Sequence, residues 1–136
     1  MKIVFCFCGK TFKGLTLDAI QDYSKRIAKY VPVEIIESKK LRPQRRDGIH
    51  IVLSPDGLSM DSYAFADFME DQLLSGTRYL FFYVGGPQGL DEEILECAYM
   101  SLSLSRMTFN HQLIRVMLLE QVYRVFTIIN NEPYHK

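Results

Sequence analysis

Arg78-Tyr79-Leu80-Phe81-Phe82-Tyr83-Val84 runs directly into Gly85-Gly86-Pro87-Gln88-Gly89-Leu90, and that turn into Asp91-Glu92-Glu93. The first segment is apolar on both faces, the mark of a strand covered on both sides and therefore central in a mostly parallel sheet. The glycines end the strand in a turn, and the carboxylates open a helix at the end where its dipole favours negative charge. Strand, glycine turn and helix in succession are the building unit of an α/β fold.

Outward from this unit the same alternation continues. Strands are expected at Lys2 to Cys8, Val33 to Glu37 and Ile49 to Leu53, besides Arg78 to Val84. Ile20, Tyr23, Ile27 and Tyr30 recur at helical spacing and place a helix from about Gly14 to Tyr30. A second helix is expected from Ser59, as N-cap, to Ser75, with Gly76 as its stop. The helix opened by Asp91 is expected to end near Met100. Ser101-Leu102-Ser103-Leu104-Ser105 alternates polar and apolar, as a short strand with one buried face does. The last helix, from about Asn110 to Asn130, is apolar on nearly every side and is expected to be buried all round, with a second subunit covering one face. No repeat or linker divides the chain, so residues 1–136 are read as one α/β domain with a mostly parallel sheet flanked by helices.

The composition agrees. With 136 residues, 48% hydrophobic, and 16 Lys+Arg against 16 Asp+Glu, the chain buries too much and carries too little net charge for a disordered protein. Zero net charge also excludes a uniformly cationic protein that coats nucleic acid, while leaving room for a local basic patch. No stretch approaches the ~20 apolar residues of a membrane span. The apolar run at the start is too short for a secretory signal. The 3 cysteines, with Cys6 and Cys8 on one face of a strand, read as reduced, buried thiols. These readings place the protein in the cytoplasm. His50, His111 and His135 are far apart and there is no C-x-x-C, so no metal site is expected; Cys97 sits in an apolar stripe with no activating base.

Three regions concentrate polar groups. The glycine turn brings backbone N–H groups near any ligand, but Gly-Gly-Pro-Gln-Gly matches neither the dinucleotide nor the triphosphate loop, and Asp91, Glu92 and Glu93 would repel a phosphate. A ligand uncharged or cationic at this end, such as the sulfonium and adenosine of S-adenosylmethionine, suits the turn better, although a plain tight turn accounts for the motif taken alone. His111 and Arg115 are four apart on one helix face and so can meet one group, or serve singly as a cap and a salt bridge. Glu120 and Arg124 share that spacing and can pair, while Arg115 and Arg124 lie on opposite faces. Tyr134, His135 and Lys136 either fray as a chain end or stack on, hydrogen-bond to and neutralise a nucleotide. Finally, Lys39-Lys40-Leu41-Arg42-Pro43-Gln44-Arg45-Arg46 holds five cations in eight residues. It reads as a solvated loop or, through Lys39, Lys40, Arg42, Arg45 and Arg46, as a contact to an RNA backbone.

Taken in order, the strand with Gly85-Gly86-Pro87-Gln88-Gly89-Leu90, Ser101-Leu102-Ser103, Met107-Thr108-Phe109-x-His111-Gln112, Arg115-x-x-Leu118-x-Glu120-Gln121-x-Tyr123-Arg124 and a terminal Tyr134-His135-Lys136 resemble one family. That family is the SPOUT-class ribosomal RNA large-subunit methyltransferase H. The resemblance covers the start of the chain and, most specifically, everything from about Tyr79 onward. It implies a C-terminal trefoil knot, a rare exception to unthreaded chains. It also implies a homodimer that uses S-adenosylmethionine to methylate N3 of a pseudouridine in large-subunit (23S) ribosomal RNA within the ribosome. By similarity the cofactor contacts fall on Leu53, on the glycine turn (Gly85, Gly86, Gly89) and on Leu104, Ser105, Arg106, Met107, Thr108 and Phe109. The substrate side falls on His111, Arg115, Arg124, Tyr134 and His135, with His135 expected to accept the N3 proton. A SPOUT enzyme with another target nucleotide, or a catalytically silent knotted dimer that binds RNA or the ribosome, are the alternatives. The connection from Ser38 to Gly48 is shorter than the helix-bearing segment expected of the family, and it carries the basic run.

Overall fold

A computed structural model describes residues 1–135. Five strands, β1 (Lys2–Cys8), β2 (Val33–Ser38), β3 (Gly48–Ser59), β4 (Tyr79–Val84) and β5 (Met100–Ser103), form one parallel sheet in the order β2-β1-β4-β3-β5. β4, the doubly apolar strand, lies at its centre, and Leu80 to Val84 are all buried. Helices α1 (Leu15–Ile27), α2 (Ser62–Leu74) and α4 (His111–Ile129) pack on one face, where Phe5, Phe82 and Leu102 meet Ile20, Phe65 and Leu118. Burying each such side chain stabilises by roughly 1.5–3 kcal/mol. On the other face Val4, Cys6, Phe81 and Tyr83 are covered by Ile94, from the short α3 (Glu92–Cys97), by Leu90 and Ala98 that flank that helix, and by Leu41.

Leu41 reaches that face because of the topology. β2 and β3 run the same way, so the connection between them must return from the carboxyl end of the sheet to its amino end. Without a helix to carry it, the segment 39–47 drapes across the strands. Lys39 starts at the carboxyl end, its carbonyl accepting from Cys8 Sγ at 3.6 Å. Midway, the Gln44 N–H donates to the Tyr83 hydroxyl at 3.0 Å, and that hydroxyl lies 2.8 Å from His50 Nδ1. Near the amino end, Arg46 donates two hydrogen bonds to the Glu34 carboxylate, at 2.9 and 3.3 Å, and lies over the Tyr79 ring.

Several element ends differ from expectation for identifiable reasons. β3 continues past Leu53 to Ser59: residues 54–57 bulge, so that Leu53 and Leu58 both oppose Leu102 of β5. Gly57 permits this, since a Cβ there would sit 2.7 Å from the Ser101 carbonyl carbon. Ser59 is therefore a strand residue, and the cap of α2 is Asp61, whose carboxylate accepts the Ala64 N–H at 2.8 Å. Gly76 does stop α2, with φ +74 and the Thr77 N–H returning to Gln72. α3 ends early because Ala98 is extended and the Tyr99 N–H is taken by the His50 carbonyl at 2.7 Å. α4 is not buried all round within one chain. Its buried stripe is Gln112, Arg115, Leu118, Leu119, Val122, Val125, Phe126 and Thr127, while Leu113 is 52% exposed. Cys6 is buried and its thiol is pushed up to about 12 by desolvation, but Cys97 is exposed, contrary to the expectation of three buried thiols.

Candidate active site

All five carboxyl ends of the parallel strands open on one rim, where ligands of α/β sheets bind. A cavity of about 310 Å³ lies there between the ends of β3, β4 and β5. Its wall includes Leu53, Gly85, Gly86, Gly89, Leu104, Ser105, Met107, Thr108, Phe109 and His111. The structure thus brings together the residues assigned to the cofactor by resemblance, except Arg106, which is exposed and does not line the cavity. Val84 and Leu102 of the strands line it too, as do Ser54, Pro55, Leu90, Leu95 and Ile114, none of which the sequence pattern marks as a site residue. Ser54-Pro55 at the carboxyl end of a strand was the available signal.

Two turns shape this wall. The glycine turn is closed by a Gly86–Gly89 bridge, with Gly89 at φ +80, and a Cβ on Gly85 would fall 2.9 Å from the Gly89 carbonyl carbon. After β5, Ser103 Oγ donates to the Ser105 carbonyl at 2.9 Å and Ser105 Oγ accepts the Met107 N–H at 3.0 Å. Asn110 then caps α4 by accepting the Gln112 N–H. Among the described residues, the N–H groups of Ser105, Arg106, Thr108 and Phe109 donate to no protein acceptor, so this loop presents free backbone donors.

Arg115 is not beside His111 in the cavity. Its side chain is fully buried and faces the other way, donating to the carbonyls of Cys8 at 2.7 Å and Gly9 at 3.1 Å and to Thr11 Oγ1 at 3.0 Å. It stands over the Phe7 ring, with Glu37 3.8 Å away. Desolvation lowers its pKa, opposed by Glu37. In this arrangement Arg115 holds the loop after β1.

The tail forms a separate cluster. Tyr134 donates to Glu120 Oε2 at 2.7 Å, and Arg124 holds both oxygens of the same carboxylate. Arg124 Nη1 lies 2.9 Å from His135 Nδ1. A guanidinium only donates, so Nδ1 accepts and the proton of a neutral ring is assigned to Nε2. His135 also meets Tyr63 of α2 edge-on at 4.8 Å, and Tyr30 donates to Glu132 at 2.7 and 2.8 Å. Burial, then hydrogen bonds to Tyr23 and Glu120, push the Tyr134 pKa up, which makes it a donor. The structure therefore joins His135, Tyr134 and Arg124 through Glu120, a keystone whose i,i+4 pairing was visible in the sequence; Tyr63 and Glu132 had no such signal. Lys136 lies outside the described residues. No residue of this network lines the glycine cavity, but Glu120 and Tyr23 line a neighbouring one of about 420 Å³ that shares Leu102 and Leu104 with it.

The basic run is divided by its drape. Lys39, Lys40, Arg42 and Arg45 are exposed, whereas Arg46 is committed to Glu34 and the Tyr79 and Phe81 rings. Among the described residues no group of three His, Cys, Asp or Glu is placed to hold a metal ion, and no helix is long and apolar enough to cross a membrane.

A family model described as "Predicted SPOUT methyltransferase" matches residues 1–135. Proteins named Ribosomal RNA large subunit methyltransferase H are similar throughout. The one from Coprothermobacter proteolyticus is 42% identical over 139 residues, covering 100% of both chains. That from Trichlorobacter lovleyi is 39% identical, covering 99% of each, and that from Acetivibrio thermocellus is 38% identical, covering 100% of each. The last alignment spans 159 positions against 136 residues here, so that relative carries residues this chain lacks. Among solved structures, a probable methylase family protein from Haemophilus influenzae Rd KW20 superposes with a TM-score of 0.55 at 12% identity, over 96% of this chain and 66% of that one, and shares the fold. From its strand order, its rim cavity and a match along its whole described length, the chain belongs to the SPOUT methyltransferase family.

Proposed function

We propose that this chain is an S-adenosylmethionine-dependent methyltransferase that methylates N3 of a pseudouridine in large-subunit (23S) ribosomal RNA, working as a cytoplasmic homodimer on the ribosome. The relatives' names support the rRNA substrate, and family membership supports a trefoil knot around the rim cavity. The observation that carries the reading is the convergence of Leu53, the glycine turn and the loop 104–109 on one cavity.

The cavity fits the cofactor chemically. Its volume falls within the ~300–1,000 Å³ of small-molecule sites. Its sides are apolar, its loop offers free N–H donors, and no carboxylate or cationic side chain stands in its wall. The bound cofactor would supply a methyl group on a sulfonium, ready for in-line displacement. Leu53, Leu90 and Ile114 would offer apolar surface to the adenine ring, while the free N–H groups of the 105–109 loop would serve its polar atoms. His111, at the cavity wall, faces the approaching base.

N3 must lose its proton as the N–C bond forms. His135 serves as the acceptor only after its Nδ1 is released by Arg124, because in the docked tail that nitrogen already accepts. Within one chain the tail network and the cavity share no residue, and Leu113 of α4 is left half exposed beside Val116 and Met117. Both facts favour a site completed by a second copy.

Mass spectrometry of ribosomal RNA from cells lacking the chain tests this: one methyl group is missing from one pseudouridine and returns on complementation. A full methylation pattern in those cells overturns the reading. Calorimetry showing no S-adenosylmethionine binding would leave a silent ribosome-binding module instead.

A further inference from the structure

The loop after β1, Gly9-Lys10-Thr11-Phe12-Lys13-Gly14, is held by more buried polar contacts than any turn needs to close. Arg115, fully buried, takes the carbonyls of Cys8 and Gly9 and the Thr11 hydroxyl. Gln112, 4% exposed, accepts the Phe12 N–H at 2.9 Å and donates to the Lys10 carbonyl at 3.1 Å. Glu37 accepts the Thr11 N–H at 2.8 Å. Immobilising the backbone this firmly buries Thr11 but leaves its neighbours outside. Phe12 is 60% exposed, and Lys10 and Lys13 are exposed on either side of it.

The position of this loop gives it a use. It leaves the carboxyl end of β1, next to β4 in the sheet, and Gln112 ties it to the first turn of α4 beside His111 of the cavity wall. On its other side the Gly9 N–H donates to the Ser38 carbonyl at 2.9 Å, and Cys8 Sγ donates to the Lys39 carbonyl. Lys39 and Lys40, both exposed, thus share this end of the sheet with Lys10 and Lys13. Among the described residues none of these lysines forms an ion pair. The other cations of the basic run descend with the drape toward the amino end, where Arg46 meets Tyr79.

We infer that Phe12, Lys10, Lys13, Lys39 and Lys40 form a pre-ordered platform for single-stranded RNA beside the cavity, Phe12 stacking on a base that flanks the target and the lysines contacting its phosphates. An exposed aromatic among unpaired cations on a rigid backbone has the chemistry of such platforms: every base offers a flat face, and the charge follows the strand. The rigidity matters because ordering entropy is spent in folding and not in binding. The platform rests on the rRNA reading above, and within the basic run it uses Lys39 and Lys40, whereas Arg46 is structural.

The test is filter binding of the full-length protein to large ribosomal subunits over a salt series, with S-adenosylmethionine calorimetry and thermal melting as controls for folding. F12A is expected to weaken binding roughly 5- to 100-fold and F12W to restore it. Replacing Lys10, Lys13, Lys39 and Lys40 by Gln should lower the slope of log affinity against log salt by about 3, whereas R45Q leaves the slope as it is. Unchanged binding by F12A, a slope change in R45Q as large as one lysine's share of the quadruple variant's change, or an F12A that shifts the monomer–dimer equilibrium with no loss of RNA affinity overturns the platform. A wild-type protein that binds cofactor but no ribosomal subunit even at low salt overturns the rRNA reading as well, and so is told apart from failure of the platform alone.

Discussion

Arg124 donates to Nδ1 of His135 at 2.9 Å while gripping Glu120 with its other nitrogens. The imidazole therefore turns Nε2–H outward as a donor in the docked tail. Replacing the ring by an amide keeps a donor but leaves no nitrogen able to take up the N3 proton. H135A is expected to lower kcat/KM by 10²-fold or more, with S-adenosylmethionine affinity intact. If Nε2–H positions the base, H135Q recovers much of that loss; equal loss in both variants, with the lower limb of the pH–rate profile abolished, identifies His135 as the proton acceptor. Single-turnover methylation across pH makes the distinction.

Arg115 binds three oxygens of the β1 loop from a fully buried position. R115A leaves those acceptors without a donor in a dry site, so it should cost about 2–4 kcal/mol of stability. For a domain of this size that is a fall in Tm of roughly 5–15 °C. R115K, which keeps the charge and loses the fork, should fall between. An R115A protein with wild-type Tm and reduced turnover would move Arg115 back to the substrate.

Glu34 lies between Lys2 at 2.9 Å and Arg46 at 2.9 Å. Hydrogen bonds from Arg46 and then Lys2 hold its pKa at about 2, below the ordinary 4.5. A depressed carboxylate contributes stability that is complete above its unfolded pKa and is lost as pH falls toward the folded one. The Tm difference between wild type and E34Q should be greatest above about pH 5 and shrink between pH 4.5 and pH 2. Thermal melts at five or six pH values follow it, and a difference that grows on acidification would contradict the pairing.

Gly85 faces the Gly89 backbone so closely that a methyl group must spread the turn. G85A is expected to weaken S-adenosylmethionine binding at least tenfold in calorimetry while Tm moves by only a few degrees, since the turn packs few side chains. Wild-type affinity in G85A would separate the turn from the cavity's function.

Sheet strands were legible where hydrophobicity was unambiguous. β1 runs from Lys2 to Cys8 as its pattern says, and β4 is central as its doubly apolar character requires. β3 was cut short at Leu53 because Ser54-Pro55-Asp56-Gly57 has the composition of a turn; a bulge lets those residues leave the ladder and the strand resume at Leu58. The same misreading moved the α2 cap from Asp61 to Ser59. At the site, the glycine turn and the loop 104–109 were found through an order-preserved resemblance, and their meeting in one cavity depends on long-range pairing of β3 with β5 that local pattern does not contain. Arg115 and Arg46 illustrate the opposite limit. Arg115 reads in sequence as a substrate contact or a salt bridge and Arg46 as part of a solvated or RNA-contacting run, and only the three-dimensional position of Cys8, Thr11 and Glu34 shows what they hold.

Cys97 closes α3 just before β5 begins, and it is exposed while Cys6 is buried and Cys8 is partly covered. Leu95, two residues earlier on the same short helix, stands in the wall of the rim cavity. A dye coupled through the Cys97 thiol would therefore sit near that cavity, so that its emission reports what enters or leaves without redesigning the chain.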